Sequence, residues 1–266
     1  MGDVETRRAV LADVDLGPLK TVGPGEAAAG RSELVLAMAE PDSFRPDERS
    51  LADQSAVVVA DLLYDGLTEV DGHTGALVPA LARSWTSDAS FRNWTFQLDP
   101  GAGVTAADVV AALTPLACDP NAPAGATQSA PALTAGISSV TAIEEDVVAI
   151  DLVHPNAGLA WILSGLPYSV IGIDGSQTGD YEVSRTDDGG LWLERRSVRP
   201  GQPGTPQSVQ IRWTSSSATA HRLLADGVVD GAIIGPDRLD DIDGRFTVAT
   251  SPSTAVRFYV LNPTAD

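Results

Sequence analysis

Lysine is almost missing from this sequence. Lys20 is the only one among seventeen basic residues, and arginine supplies the rest. Against thirty-six acidic residues the formal net charge is -19. A field of that sign argues against nucleic-acid binding, which needs a basic surface to displace counterions from phosphates. It also disfavours docking on an anionic membrane surface. Cysteine is limited to Cys118, so the chain has no intramolecular disulfide. Aromatic residues make up only 5%, which leaves the core to Val, Leu, Ile and Ala. No run of about 18 apolar residues occurs, so no transmembrane helix is expected. Residues 1–30 show neither the apolar segment of a signal peptide nor a lipobox cysteine. An exported protein would carry its targeting segment upstream of this sequence or have lost it.

What is present is globular. The 266 residues are 43% hydrophobic and 20% charged, enough for one large domain or two small ones. Residues 1–30 mix charges with Gly, Pro and Ala and read as a flexible arm. Glu33 to Met38 is a strand. Ala39 to Pro46 (AEPDSFRP) is a loop punctuated by Pro41 and Pro46, and Asp47 to Tyr64 is an amphipathic helix. Asp65-Gly66 ends that helix, and Leu67 to Val70 alternates as a strand. Leu77, Leu81 and Trp85 recur at helical spacing around Pro79 and predict a helix there. Trp94, Phe96 and Leu98 alternate on a strand. Thr105 then caps a helix to Leu113, with Asp108 in the capping-box position.

Beyond this unit, Cys118 to Ala135 reads as an irregular loop. Ile137 to Ile143 and Asp146 to Val153 form a hairpin, and Asn156 to Leu163 forms a helix with Trp161 on its apolar face. Tyr181 to Arg185 and Leu191 to Arg196 form a second hairpin. Ser208 to Trp213 is a strand, Ser215 to Asp226 a helix, and Ala232 to Ile234 a buried strand. Phe246 to Thr250 and Arg257 to Leu261 are the last strands. The core positions include Trp85, Trp94 and Trp161; Trp192 and Trp213 remain open between core and surface.

Competing chemistry finds no support in spacing. His73, His154 and His221 fall in separate elements without metal-ligand partners. Asp240, Asp241 and Asp243 precede Gly244, but the calcium-loop register would begin at Leu239 and end at Thr250, neither a suitable ligand. No nucleophile elbow, phosphate loop or dinucleotide fingerprint occurs. No catalytic residue, metal or cofactor is therefore expected. A glycosidase-like carboxylate pair stays open, because carboxylates are plentiful.

Five short pieces in order carry a family resemblance: Tyr64 to Leu67 (YDGL), the short strand that follows it, Gly75 to Trp85 (GALVPALARSW), Trp94 to Leu98 (WTFQL) and Thr105 to Val109 (TAADV), with a further likeness at Asp226 to Gly231 (DGVVDG). Together they resemble the extracellular solute-binding proteins of the peptide and nickel transporter class, family 5. The likeness runs from Glu33 to Asn262, although Gln177 and Asp180 depart from the family's turn before Tyr181, and Val228 stands where the family has Glu. The resemblance implies an α/β fold with a mixed sheet, a periplasmic-binding-protein type II-like lobe of discontinuous subdomains, its second lobe absent. Residues 31–46 and 172–266 would form the first subdomain and 47–171 an inserted second one. It implies a non-catalytic, monomeric substrate-binding component of an ABC importer, working with permease subunits outside the membrane on a peptide or similar small solute. The protein would be extracytoplasmic, held as a lipoprotein or by another anchor outside this sequence. Glu40, Asp42, Ser43, Phe44, Thr178, Tyr259 and Asn262 are the candidate ligand contacts. The alternatives are an extracytoplasmic sensor or interaction domain of a larger regulatory protein, and a hydrolase.

Overall fold

The computed structural model describes residues 32–46, 53–71, 74–118, 135–197 and 206–234. Strand β1 (Glu33–Met38) is an interior strand, second from one edge, of a five-stranded sheet. Helix α1 (Gln54–Leu63) follows, capped by the Asp53 carboxylate, which accepts from the Ser55 and Ala56 N–H groups. The chain then leaves this sheet. It builds a small ladder of β2 (Thr68–Val70) and β3 (Leu77–Pro79), and a four-stranded sheet of β4 (Ala82–Ser87), β5 (Asn93–Leu98), β6 (Ile137–Glu144) and β7 (Val147–Leu152) in the order β4-β5-β7-β6. Helix α2 (Ala106–Leu113) packs on that sheet, and the short α3 (Leu159–Ile162) lies against β2. The chain returns as β8 (Tyr181–Asp187), β9 (Gly190–Arg195), β10 (Ser208–Trp213), α4 (Ser217–Ala225) and β11 (Gly231–Ala232). The completed first sheet has the order β11-β1-β10-β9-β8. The architecture is thus mixed α/β, as expected.

Within the first sheet β11, β1 and β10 are parallel, and β9 is antiparallel to both β10 and β8. The pleat sends alternate residues to opposite faces. Leu36 and Met38 of β1, Val209 and Ile211 of β10, and Leu191 and Leu193 of β9 pack with Val58, Val59, Leu62 and Leu63 of α1. On the other face Ala37 meets Ala220 and Leu224 of α4. A separate core in the other half joins Phe96, Leu98, Ile150 and Val148 to Val109 and Leu113 of α2. Helix α1, expected within the insertion at 47–171, shares the core of the five-stranded sheet instead.

Three local expectations differ from the structure. The stretch expected as a helix from Gly75 to Trp85 contains β3 and β4. Pro79 pairs with Thr68 at the end of the two-stranded ladder, and Trp85 pairs with Phe96 across β5. Spacings of four residues satisfy the strand period of two as well as the helical one, and the cross-strand partners decide between them. Trp161 is 49% exposed and not a core residue. Its helix has one turn, buries only Leu159 and Ala160, and turns the indole outward. The strand expected at Ala232 to Ile234 is the two-residue β11, half-buried and one residue earlier. The strands expected after it lie outside the described residues. The capping box is present: Thr105 accepts from the Asp108 N–H while the Asp108 carboxylate accepts from the Thr105 N–H.

The turn from β4 to β5 shows how a side chain holds an unusual backbone. Phe91 has φ 54°, a left-handed conformation that a bulky residue rarely adopts. The Asp88 carboxylate accepts from the Ser90 hydroxyl (2.8 Å), the Asn93 side-chain amide (2.7 Å) and the Arg92 N–H (3.2 Å). The Asn93 and Ser90 side chains, with help from the backbone, hold its pKa down at about 2. Because the folded value lies below that of an unfolded aspartate, about 4, this contribution to stability is complete above that pH and is lost as pH falls toward 2. A carbon-detected titration of the Asp88 carboxyl is expected to give a midpoint near 2, and Asn93→Ala is expected to raise it.

Candidate functional site

The three parallel strands end together. Met38 of β1 pairs with Trp213 of β10, and Ala37 pairs with Ala232 of β11. In open α/β sheets, ligands favour the crevice at such carboxyl ends, where loops leave the sheet. Here the loops are 39–46, the Thr214-Ser215-Ser216 junction into α4, and the segment after β11.

The first loop places four of the expected contacts. Glu40 and Asp42 are exposed, while Ser43 and Phe44 are half-buried. Pro41 between them is buried and anchors the loop. The Ser43 hydroxyl accepts from the Arg45 N–H at 3.1 Å, closing a tight turn. Phe44 stacks on Trp213, with ring centroids 6.1 Å apart and 20° between planes. Phe44, Trp213 and Ile233 all lie on the α1 side of the sheet. They form an apolar floor beside the exposed carboxylates. Burial pushes the Tyr64 phenol above its ordinary pKa, against the opposing pull of Arg45, so Tyr64 stays neutral.

Sequence reasoning missed two parts of this edge. Trp213 ends β10 and was left open between core and surface. Its place at the junction of a parallel strand and a helix was the available signal. Ser216 caps α4 by accepting from the Thr219 N–H (3.2 Å), and Ser215 stands exposed beside it.

Thr178 is not part of this edge. Tyr181 pairs with Arg195, and Glu194 pairs with Ser208. The start of β8 therefore lies with the start of β10, and Thr178 sits at the amino edge of the parallel strands. It is 1% exposed. Its hydroxyl donates to the Val170 carbonyl (2.6 Å) and accepts from the Asp65 N–H (3.2 Å). Asp65 and Val170 are where the chain leaves and re-enters the first half, so Thr178 ties the two crossings together. Tyr259 and Asn262 lie outside the described residues. So does His73, while His154 and His221 remain in separate elements. Among the described residues no group of three or more His, Cys, Asp or Glu is placed to hold a metal ion.

A second concavity, between α2 and β6, is lined by Ala107, Val110, Ala111, Thr114, Pro115, Val140, Thr141 and Ala142. It is nearly all apolar and has few polar groups to orient a solute.

The model of the bacterial extracellular solute-binding proteins, family 5 (Middle), matches residues 76–266. The chain belongs to this family. No curated protein sequence matches it. Among solved structures, DppA from Helicobacter pylori in complex with the peptide STSA is similar at TM-score 0.65 and 19% identity, covering 82% of this chain and 50% of that one. AgaA from A. tumefaciens R10, in complex with agropinic acid, is similar at 0.64 and 20%, covering 79% and 45%. NikZ from Campylobacter jejuni, in complex with Ni(L-His), is similar at 0.62 and 19%, covering 79% and 45%. These likenesses establish a periplasmic-binding-protein fold. The family 5 chain described here spans half or less of the length of each of these three structures. The family and these neighbours are binding proteins rather than enzymes. Among the described residues no helix is long and apolar enough to cross a membrane.

Replacing Thr178 with Val keeps its shape and removes the hydroxyl, leaving the Asp65 N–H and the Val170 carbonyl buried without it. Urea denaturation of Thr178→Val is expected to show a loss of roughly 1–3 kcal/mol, and Thr178→Ser a smaller one.

Proposed function

We propose that this chain contributes to the capture of a small solute, a peptide or a similar compound, for an ABC importer outside the membrane, acting with permease subunits. The observation that carries the reading is the carboxyl edge of β1, β10 and β11. It combines an apolar aromatic floor (Phe44, Trp213), exposed carboxylates (Glu40, Asp42) and hydroxyls (Ser215, Ser216), with Trp213 on β10 and the others on the loops that leave the sheet. Such a surface offers an apolar side chain a seat and offers polar backbone groups partners. Among the described residues it shows no nucleophile paired with a base. The Glu40 and Asp42 carboxylates favour a solute with a cationic end, such as a peptide amino terminus. Family membership and the peptide-bound DppA fold support the reading without naming the solute. Tyr259 and Asn262 belong to the proposal as further contacts on sequence grounds alone.

Ligands in two-lobed clamps stabilise the closed state through their differential affinity for it. A surface the size of half a clamp binds weakly. The chain alone is therefore expected to gain less than about 1 kcal/mol of stability from a di- to pentapeptide mixture at millimolar concentration. The function is tested in the bacterium that carries the gene. Its deletion is expected to abolish uptake of at least one labelled di- to pentapeptide, with restoration by the intact gene and not by a Glu40→Ala, Asp42→Ala form. Unchanged uptake together with an altered transcriptional response to the same peptides would favour the sensor alternative.

A further inference from the structure

We propose that Trp213 is itself a ligand contact, its indole N–H donating to an oxygen acceptor of the bound solute, a peptide carbonyl or carboxylate. The inference rests on the solute-capture reading above and specifies what the edge recognises. Trp213 is the last residue of β10, and its backbone N–H donates to the Gly189 carbonyl at 3.2 Å. The next amide, Thr214, donates to the Met38 carbonyl at 2.9 Å. The backbone beneath the indole is thus held from both sides.

The indole Nε1 is buried and has no hydrogen-bond acceptor among the described residues. The other buried indole of known partner behaves differently: Trp94 Nε1 donates to the Phe91 carbonyl at 3.3 Å. Buried polar groups are nearly always paired, and an orphan calls for a cause. The second orphan among the described residues, Arg212 Nε, precedes Trp213 by one position and so lies on the other face of the sheet. Only the Trp213 donor shares the side of Phe44 and Ile233.

The Phe44 ring stacks against the indole, and Phe44 belongs to the irregular loop 39–46. Stacking between a strand residue and a loop residue separates by movement of the loop, with the indole left in place. Such a movement would present the donor to the carboxyl edge, whose loops carry the exposed Glu40 and Ser215. An indole offers a flat apolar face and one in-plane donor. That combination suits a peptide, whose side chain packs on the ring while its backbone oxygen meets the N–H.

The test is a titration of the nitrogen-15-labelled full chain with trialanine at millimolar concentration. The Trp213 indole resonance, assigned by its loss in Trp213→Phe, is expected to move saturably together with amides of residues 39–44, while the Trp94 indole stays fixed. Trp213→Phe retains the aromatic stack and removes the donor, and is expected to weaken apparent affinity about five- to tenfold, the scale of one hydrogen bond. Phe44→Leu removes the stack and keeps the donor, and is expected to retain the indole shift. Loop amides that move while the indole stays, a Trp213→Phe protein that binds as the unaltered one does, or loss of the indole shift in Phe44→Leu would each overturn the role of Trp213 alone. A spectrum in which no resonance moves with any di- to pentapeptide would overturn the solute-capture reading and this inference with it.

Discussion

One carbonyl oxygen sits where the two halves of this protein meet. The Leu63 carbonyl, at the end of α1, accepts from both the Thr178 N–H (3.0 Å) and the Gly179 N–H (2.8 Å). The Thr178 hydroxyl extends the knot to Asp65 and Val170, and the Val170 N–H donates to the Asp65 carbonyl at 2.9 Å. Every group in this knot is buried or on buried backbone, where an unpaired partner is costly. The knot also sets the residue types. A Cβ on Gly179 would lie 2.6 Å from the Leu63 carbonyl carbon, and one on Gly66 would collide with the Leu163 carbonyl. Glycine at 179 lets the returning chain approach the end of α1, and glycine at 66 lets the leaving chain pass the Leu163 carbonyl.

The position of the knot fits the position proposed for the site. It lies at the amino edge of the parallel strands and carries the inserted half with it. The opposite, carboxyl edge is left to loops, and there Phe44, Trp213, Glu40 and Asp42 gather. A fold that fastens its halves at one edge of a sheet leaves the other edge for recognition. The excess of acidic residues suits the same arrangement, since at this edge Glu40 and Asp42 present carboxylates to the cationic solute end proposed above.

Much of this was legible in the residues. Glu33–Met38 and Ser208–Trp213 are strands at the expected boundaries, because alternation between turn residues leaves little ambiguity. The Thr105–Asp108 box is local chemistry and needs no tertiary information. The segment Leu77 to Trp85 was not legible, since a four-residue spacing fits both periods and the deciding partner, Phe96, lies in another strand. Trp161 was misread because a one-turn helix cannot bury all its apolar residues. Thr178 was correctly sited in the turn before β8, but only the register of β8, β9 and β10 reveals which edge of the sheet that turn occupies. The role of Trp213 depends on Phe44, which is distant in sequence, and no periodicity encodes their stack.

Solute is proposed to meet the carboxyl edge of the parallel strands. The most direct measurement is photo-crosslinking with a tripeptide that carries a diazirine side chain, followed by mass-spectrometric mapping of the labelled residues. The account predicts adducts within residues 39–44 and 213–216, reduced by excess unlabelled tripeptide. Competable adducts confined to the α2–β6 groove, or to the crossing around Thr178, would contradict it.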